Sequence, residues 1–243
     1  PMPAGTTFES RTDTMCGFNV AGPQSRALLA RLTNADLSNE SFPFMRSQRI
    51  TVAGIDVIAL RVSFTGDLGW ELHCEQADQL PLYQALLEAG KAVGAGPVGS
   101  RALMSLRVEK GYGSWSREYS PEYWPQEVGL GRLIKLEKDF LNKDSYLKVK
   151  DNPPREMLSL IEVQEVTNAD ATGGEPIFLP DGTPVGRVTS GTYGYSVEKS
   201  LALGYLKGVA AGTAVDVMIL GKPHRGIVLA EPPFDPKGLR LRA

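Results

Sequence analysis

A double proline inside a polar run, "VKDNPPREM" at 149–157, divides this chain into two textures. Proline offers no backbone N–H and biases the residue before it toward extended backbone, so neither helix nor strand should run through this point. Beyond it come six short β-rich runs, at 157–163, 175–179, 184–190, 200–206, 214–220 and 225–232. Their joints include "ATGG", "PDG", "AAG" and "GKP". Short strands at such regular spacing, broken by turn residues, predict a small antiparallel barrel or sandwich.

The first part reads differently. Strands are expected at 17–23, 48–53, 55–63 and 69–74, with a hairpin around Gly54. Helices are expected at 23–32, where Pro23 suits the start, at 80–92, and from Ser100, a candidate N-cap, to about 110. Residues 1–15 look loose. The expectation is an α+β domain over 1–152, then a barrel-like domain over 153–243. A chain of 243 residues is long enough for both.

The remaining totals narrow the function classes. With 26 basic and 28 acidic residues, net charge −2, there is no bulk electrostatic reason to bind nucleic acid. No apolar run is long enough for a membrane span, and the start "PMPAGTTFES" lacks the basic and apolar regions of a signal peptide. Cys16 and Cys74 make neither a CxxC nor a disulfide framework, and read as two reduced thiols. His73 and His224 are the only histidines, too few for a His-rich metal site, and no metal site or catalytic triad is expected. The glycine-rich stretches "GLGRL" and "GPVGSR" match no nucleotide-binding fingerprint.

Four stretches could carry chemistry. In "LMSLRVEKGYG" (103–113), Glu109 falls near the C-terminal end of a helix, where carboxylates are disfavoured by about 0.3–1 kcal/mol. Its spacing from Ala102 and Leu106 aims it along an apolar stripe toward the interior. It is either one half of an ion pair, with Arg107 or another cation, or a fixed acceptor of two parallel hydrogen bonds from the N–C–NH edge of a pterin-like ring. In "FTGDLGWELH" (64–73), Gly66 and Gly69 bracket Asp67 in a tight turn. It is a structural hairpin, or it sets Phe64 or Trp70 against a flat ligand. Residues 111–131 hold five aromatics between Tyr112 and Trp124, a core staple or a stacking wall. Nucleic-acid stacking is disfavoured there, since Arg117 is the segment's one cation against three acids. Finally, "GRVTSGTYGYSVEKSLALGYL" (186–206) reads as a long hairpin loop carrying Tyr193, which needs no function of its own.

Taken in order, "FNVAGPQSRALLARLTNADLSNESFPFM", "VSFTGDLGWELH", "SRALMSLRVEKGYGSW", "PQEVGLGRLIKLEKDFLNKDSYL", "VTSGTYGYSVEKSLALGYL" and "AEPPFDPKGLRLR" resemble the glycine-cleavage T-protein (aminomethyltransferase) family. They are most similar to the folate-binding C-terminal modules of dimethylglycine and sarcosine dehydrogenases. The resemblance covers nearly the whole chain from about residue 16. It implies tetrahydrofolate as cofactor, a small methylated amine or its iminium as donor, and transfer of a one-carbon unit to give 5,10-methylenetetrahydrofolate. FAD would belong only to an upstream flavin domain. It also implies that Glu109, in "RVE" where the family has "RLE", grips the pterin edge, and that Phe64 is the aromatic of the family's turn. Trp70, Tyr112 and Tyr193 are further candidates for the folate wall, and no catalytic residue is assigned.

This chain departs from that pattern in two ways. Asp67 stands where Glu is frequent, and the family's longer N-terminal stretch, with an Asp thought to assist the chemistry, has no counterpart here. The chain is therefore expected to be a fragment of a larger enzyme or a reduced homologue, binding folate weakly by itself. The alternatives are a non-catalytic folate or pterin binder, a structural assembly module, and a stand-alone aminomethyltransferase or sulfonium demethylase of the same fold. The expected location is the cytoplasm, or the mitochondrial matrix in a eukaryote.

Overall fold

The computed structural model describes residues 5–166 and 168–243. Of the N-terminal stretch read as loose, residues 1–4 lie outside the described residues. By packing, the chain forms two compact units, residues 1–99 with 237–243, and residues 100–236.

In the first unit, strands β1 (Met15–Ala21), β2 (Ser47–Val52), β3 (Ile55–Leu60) and β4 (Gly69–Glu75) form an antiparallel sheet in the order β1-β4-β3-β2. The β2–β3 hairpin turns on Ala53 and Gly54, both with positive φ (52° and 80°). That combination marks the two-residue turn whose twist matches the strands. Helices α1 (Ser25–Leu29) and α2 (Gln79–Lys91) pack with this sheet. Leu28, Leu29, Leu82 and Leu86 meet Phe42, Val57, Trp70 and Leu72 in one apolar core. α1 is shorter than the expected helix over 23–32, since the chain leaves α-helical bonding through a tight turn at Leu29–Leu32.

The second unit opens with α3 (Ser100–Glu109), runs through an irregular segment holding the short α4 (Lys143–Leu147), and enters the barrel. The barrel strands are β5 (Met157–Val163), β6 (Pro176–Phe178), β7 (Pro184–Gly194), β8 (Lys199–Leu206), β9 (Ala214–Ile219) and β10 (Lys222–Val228). They close in the order β10-β5-β8-β7-β6-β9, every pair antiparallel. The α+β class and the small antiparallel barrel expected from the sequence are both present. The Pro153-Pro154 break falls inside this unit, just ahead of β5.

Two details differ from the sequence reading. The last strand ends at Val228 rather than continuing to 232, because the chain bends at Ala230 and Glu231 ahead of Pro232 and Pro233, which offer no N–H to a strand ladder. The region read as a long loop between 190 and 200 is mostly strand. β7 and β8 stay paired out to Gly194 and Lys199, leaving only residues 195–198 as the turn. Glycines and tyrosines there suggest a loop, but in this paired β7–β8 arm Gly191 and Gly194 are needed where Ala171 and Glu109 pack against the strand.

β8 is buried along nearly its full length. Ala202 and Leu206 face the barrel interior, with Ile161, Val188, Val215 and Val217. Leu201 and Leu203 on the other face pack with Val108 of α3 and Leu160. A strand covered on both faces loses polar alternation, which accounts for the continuous apolar run "SLALGYL".

Candidate functional site

The C-terminal turn of α3 and the β7–β8 arm build the site within the second unit. The buried residues of α3 are Ser105, Arg107, Val108 and Glu109, whereas Ala102 is exposed and Leu106 half-buried. Glu109 does face inward, but along Ser105 rather than along the apolar line through Ala102 and Leu106. Ser105 tolerates that position because its hydroxyl donates to the Tyr193 carbonyl at 2.8 Å, fastening the arm to the helix.

Glu109 is 1% exposed. Its Oε1 accepts a hydrogen bond from the Ser196 backbone N–H at 3.2 Å, and its Oε2 has no partner. Gly194 lies directly against it. A Cβ on Gly194 would come within 2.8 Å of Glu109 Cγ and 3.0 Å of Val197 Cγ2, so only glycine allows this close approach. A buried, unsatisfied acceptor carries a penalty of about 1–3 kcal/mol, more when charged. A donor supplied from outside would remove it, so this residue set suits a ligand edge rich in N–H groups.

Arg107 is not the ion-pair partner of Glu109. It pairs instead with Glu118, Nη1 to Oε2 at 3.1 Å, with both side chains essentially inaccessible. Arg107 also donates to Ser190 Oγ at 2.6 Å and to the Tyr112 carbonyl at 3.0 Å. Glu118 further accepts from Ser190 Oγ (2.6 Å), Thr189 Oγ1 (2.7 Å) and the Ser114 N–H (2.8 Å). Burial pushes the Glu118 carboxyl up. The Ser190, Thr189 and Ser114 hydrogen bonds and the Arg107 charge outweigh it and hold the group below its ordinary range. This network ties the 111–124 segment to β7.

The aromatic segment serves largely as scaffold. Tyr123 stacks on Tyr205 at 3.6 Å between centroids, and Arg155 lies over Trp124 at 4.8 Å. Arg155 grips the buried Glu127 with two side-chain bonds, Nε to Oε1 at 2.9 Å and Nη2 to Oε2 at 2.7 Å. That pairing, with backbone donors from Trp124 and Arg155, lowers the Glu127 carboxyl to about 2 against burial.

The candidates from the sequence fall as follows. Tyr112, half-buried, follows α3 and carries the carbonyl that Arg107 engages. Tyr193, 37% exposed, meets the exposed Tyr195 edge-to-face at 5.0 Å near the tip of the arm. The structure thus brings Glu109 and the Tyr193 backbone to one place. Phe64 and Trp70 belong to the first unit. Phe64 is half-buried in the turn before β4. Trp70 is 0% exposed, edge-on to Phe42 with the Arg26 and Arg61 guanidinium groups each 5.6 Å from its ring, a core position rather than an open stacking face. Glycine at 69 and the apolar positions around it suggest a ligand turn or a core strand equally, and burial decides.

Sequence reasoning misses Glu118, Thr189, Ser190, Gly194 and Ser196. The one available signal is Ser190, a small polar residue within a β-rich run, which lies buried on the β7 face turned to α3 and there demands a partner. Among the described residues, no group of His, Cys, Asp and Glu could hold a metal ion, and no helix is long and apolar enough to cross a membrane.

The second unit thus joins a closed six-stranded antiparallel barrel, a helix packed against β7 and β8, and a buried carboxylate, Glu109, at the end of that helix. Family comparison gives the class its name. The GCVT N-terminal domain matches residues 2–138, and the glycine cleavage T-protein C-terminal barrel domain matches residues 158–235. The chain belongs to the glycine cleavage T-protein family.

Human mitochondrial dimethylglycine dehydrogenase is 36% identical over 225 residues, 91% of this chain and 26% of that protein. Mouse mitochondrial sarcosine dehydrogenase is 36% identical over 236 residues, 93% of this chain and 25% of that one. The crystal structure of glycine cleavage system aminomethyltransferase T from Bartonella henselae superimposes with a TM-score of 0.79 at 25% identity, covering 91% of this chain and 60% of that chain. The chain thus spans about a quarter of the length of the dehydrogenases it matches.

Proposed function

We propose that this chain is the tetrahydrofolate-binding, one-carbon-transfer portion of an enzyme that demethylates a small N-methyl amine, of the dimethylglycine or sarcosine dehydrogenase kind. In this reading 1–152 and 153–243 are its two modules. The observation that carries the proposal is Glu109, a buried carboxylate with one oxygen fixed by the Ser196 N–H, the other unpartnered, and Gly194 packed directly against its side chain. A pterin presents two adjacent donors on one edge, and a carboxylate accepting both gains orientation as well as energy.

The protein's own groups divide the work. Glu109 accepts from the ring edge. Ser196 holds Oε1 in one direction, and Ser105 pins the arm through the Tyr193 carbonyl. Tyr112 and Tyr193 are the aromatic surfaces proposed to flank the ring, while Trp70 supports the first unit from its core. Bound folate supplies the nitrogen that accepts the one-carbon unit. The protein's contribution is positioning, which raises effective molarity by holding acceptor and donor together.

Titrating a reduced folate into the protein, with whatever natural sequence flanks this chain, while following intrinsic fluorescence tests the reading. Saturable quenching by tetrahydrofolate, absent with a pterin lacking the 2-amino donor, is expected. Equal response to both compounds would contradict it. A stand-alone aminomethyltransferase would use the same site with a different donor, and the identity of the amine that supports turnover separates the two.

A further inference from the structure

We infer that Cys16 and Cys74 form a two-electron redox site, closing a reversible cross-strand disulfide between β1 and β4 when a low-molecular-weight disulfide supplies the oxidant. The two residues are 58 apart in sequence, yet directly opposite in the β1–β4 register, with their Sγ atoms 3.4 Å apart. Opposed residues of an antiparallel pair have Cα atoms roughly 4.5–5.5 Å apart, inside the span that a disulfide bridges. The sulfurs have to close only from 3.4 Å to the roughly 2.05 Å of an S–S bond. The sequence reading of two ordinary thiols describes the resting state, in which both are free.

The two thiols are not equivalent. Cys74 is buried, and burial, together with the adjoining Cys16 thiol and the acidic Asp78 and Glu75, pushes its thiol up to about 12. Cys16 is partly exposed on the sheet's edge strand. Cys16 is therefore the thiol that a reagent meets.

Cys16 gives its proton to water, and its thiolate attacks one sulfur of the disulfide RSSR. The S–S bond of the reagent breaks, and the departing thiolate takes up a proton as RSH. Cys74 then loses its proton and attacks Cys16 Sγ, expelling the second RS⁻, which is likewise protonated. Two protein thiols are oxidised by two electrons, and one disulfide is reduced to two thiols. The second step is intramolecular between sulfurs already in contact, so it outruns capture of Cys74 by a second reagent molecule. The product ties the edge strand β1 to its neighbour in the sheet.

One equivalent of a dipyridyl disulfide per chain, with thiopyridone absorbance and intact mass as readouts, tests this site. The expected result is two thiopyridones released per reagent consumed and a mass lower by two hydrogens. The Tm should rise by about 5–10 °C from loop closure, reversing with dithiothreitol. Cys74→Ser should release one thiopyridone and keep a stable adduct on Cys16, and Cys16→Ser should react at least tenfold more slowly than the natural chain. A stable pyridyl adduct on the natural chain, or no release while it remains folded, would overturn the inference.

Discussion

Replacing Glu118 with Gln tests the buried network that fixes the 111–124 segment to the barrel. Gln keeps the shape but not the charge. Its amide oxygen can keep the Ser114 N–H and Arg107, while its NH₂ must donate to the Ser190 or Thr189 hydroxyl, which has to turn from donor to acceptor. All four bonds lose the charged partner, and a hydrogen bond to a charged group is worth about 1.5–3 kcal/mol against about 0.5–1.5 for a neutral one. Arg107, 1% exposed, is also left without its counter-ion. Breaking a buried pair by removing one partner costs about 3–5 kcal/mol, and the two routes to the figure overlap. For a chain of this size each kcal/mol moves the Tm by about 2–4 °C, so Glu118→Gln should lower it by roughly 6–20 °C. Differential scanning calorimetry gives the shift. A double-mutant cycle with Arg107→Met should show a loss smaller than the sum of the single changes. A Tm drop under about 3 °C, the scale of a solvated surface pair, or strict additivity would refute the reasoning.

Gly194→Ala places a Cβ against Glu109 Cγ, so reduced-folate affinity should fall at least roughly tenfold by calorimetry. Unchanged affinity would mean that Glu109 does not need its present position. Glu127 has its carboxyl depressed to about 2 from an ordinary 4.5, so its stabilising contribution is present above 4.5 and lost as pH falls toward 2. The Tm gap between the natural chain and Glu127→Gln should be constant down to about pH 5 and close below pH 4.5; a gap as large at pH 2.5 as at pH 7 would contradict this. Trp70→Ala should cost about 3–5 kcal/mol in urea unfolding, the scale for emptying a buried aromatic site, and a loss below about 1 kcal/mol would show that Trp70 is not a core residue.

The sequence announces the barrel well because β5, β7, β8 and β9 combine β-branched and apolar runs with glycine-rich joints, and no tertiary contact is needed to read them. It announces the inward aim of Glu109 for an incomplete reason. The stripe through Ala102 and Leu106 is not the buried face, and Ser105 is, because the carbonyl of Tyr193 satisfies its hydroxyl. Arg107 sits two positions before Glu109, so proximity in sequence makes it the obvious partner. Helix geometry separates such neighbours by about 200°, and Arg107 meets Glu118 instead. Glu118 is illegible beforehand, since its four donors come from β7, the 114 turn and α3, brought together only by folding. Trp70 reads as a ligand-facing aromatic next to glycine, and only the packing of Phe42, Arg26 and Arg61 around it shows a core residue.

The central claim is that Glu109 is a ligand-gripping carboxylate rather than a structural one. Calorimetric titration of tetrahydrofolate into the natural protein and into Glu109→Gln, with the Tm of each measured alongside, addresses it directly. Hydrogen bonds to a charged group are worth about 1.5–3 kcal/mol, so affinity should fall by roughly 10- to 150-fold, while the Tm holds because the Gln oxygen can keep the Ser196 bond and the atom it replaces, Oε2, has no partner to lose. Unchanged affinity together with a lowered Tm would show that Glu109 serves the fold and not the folate.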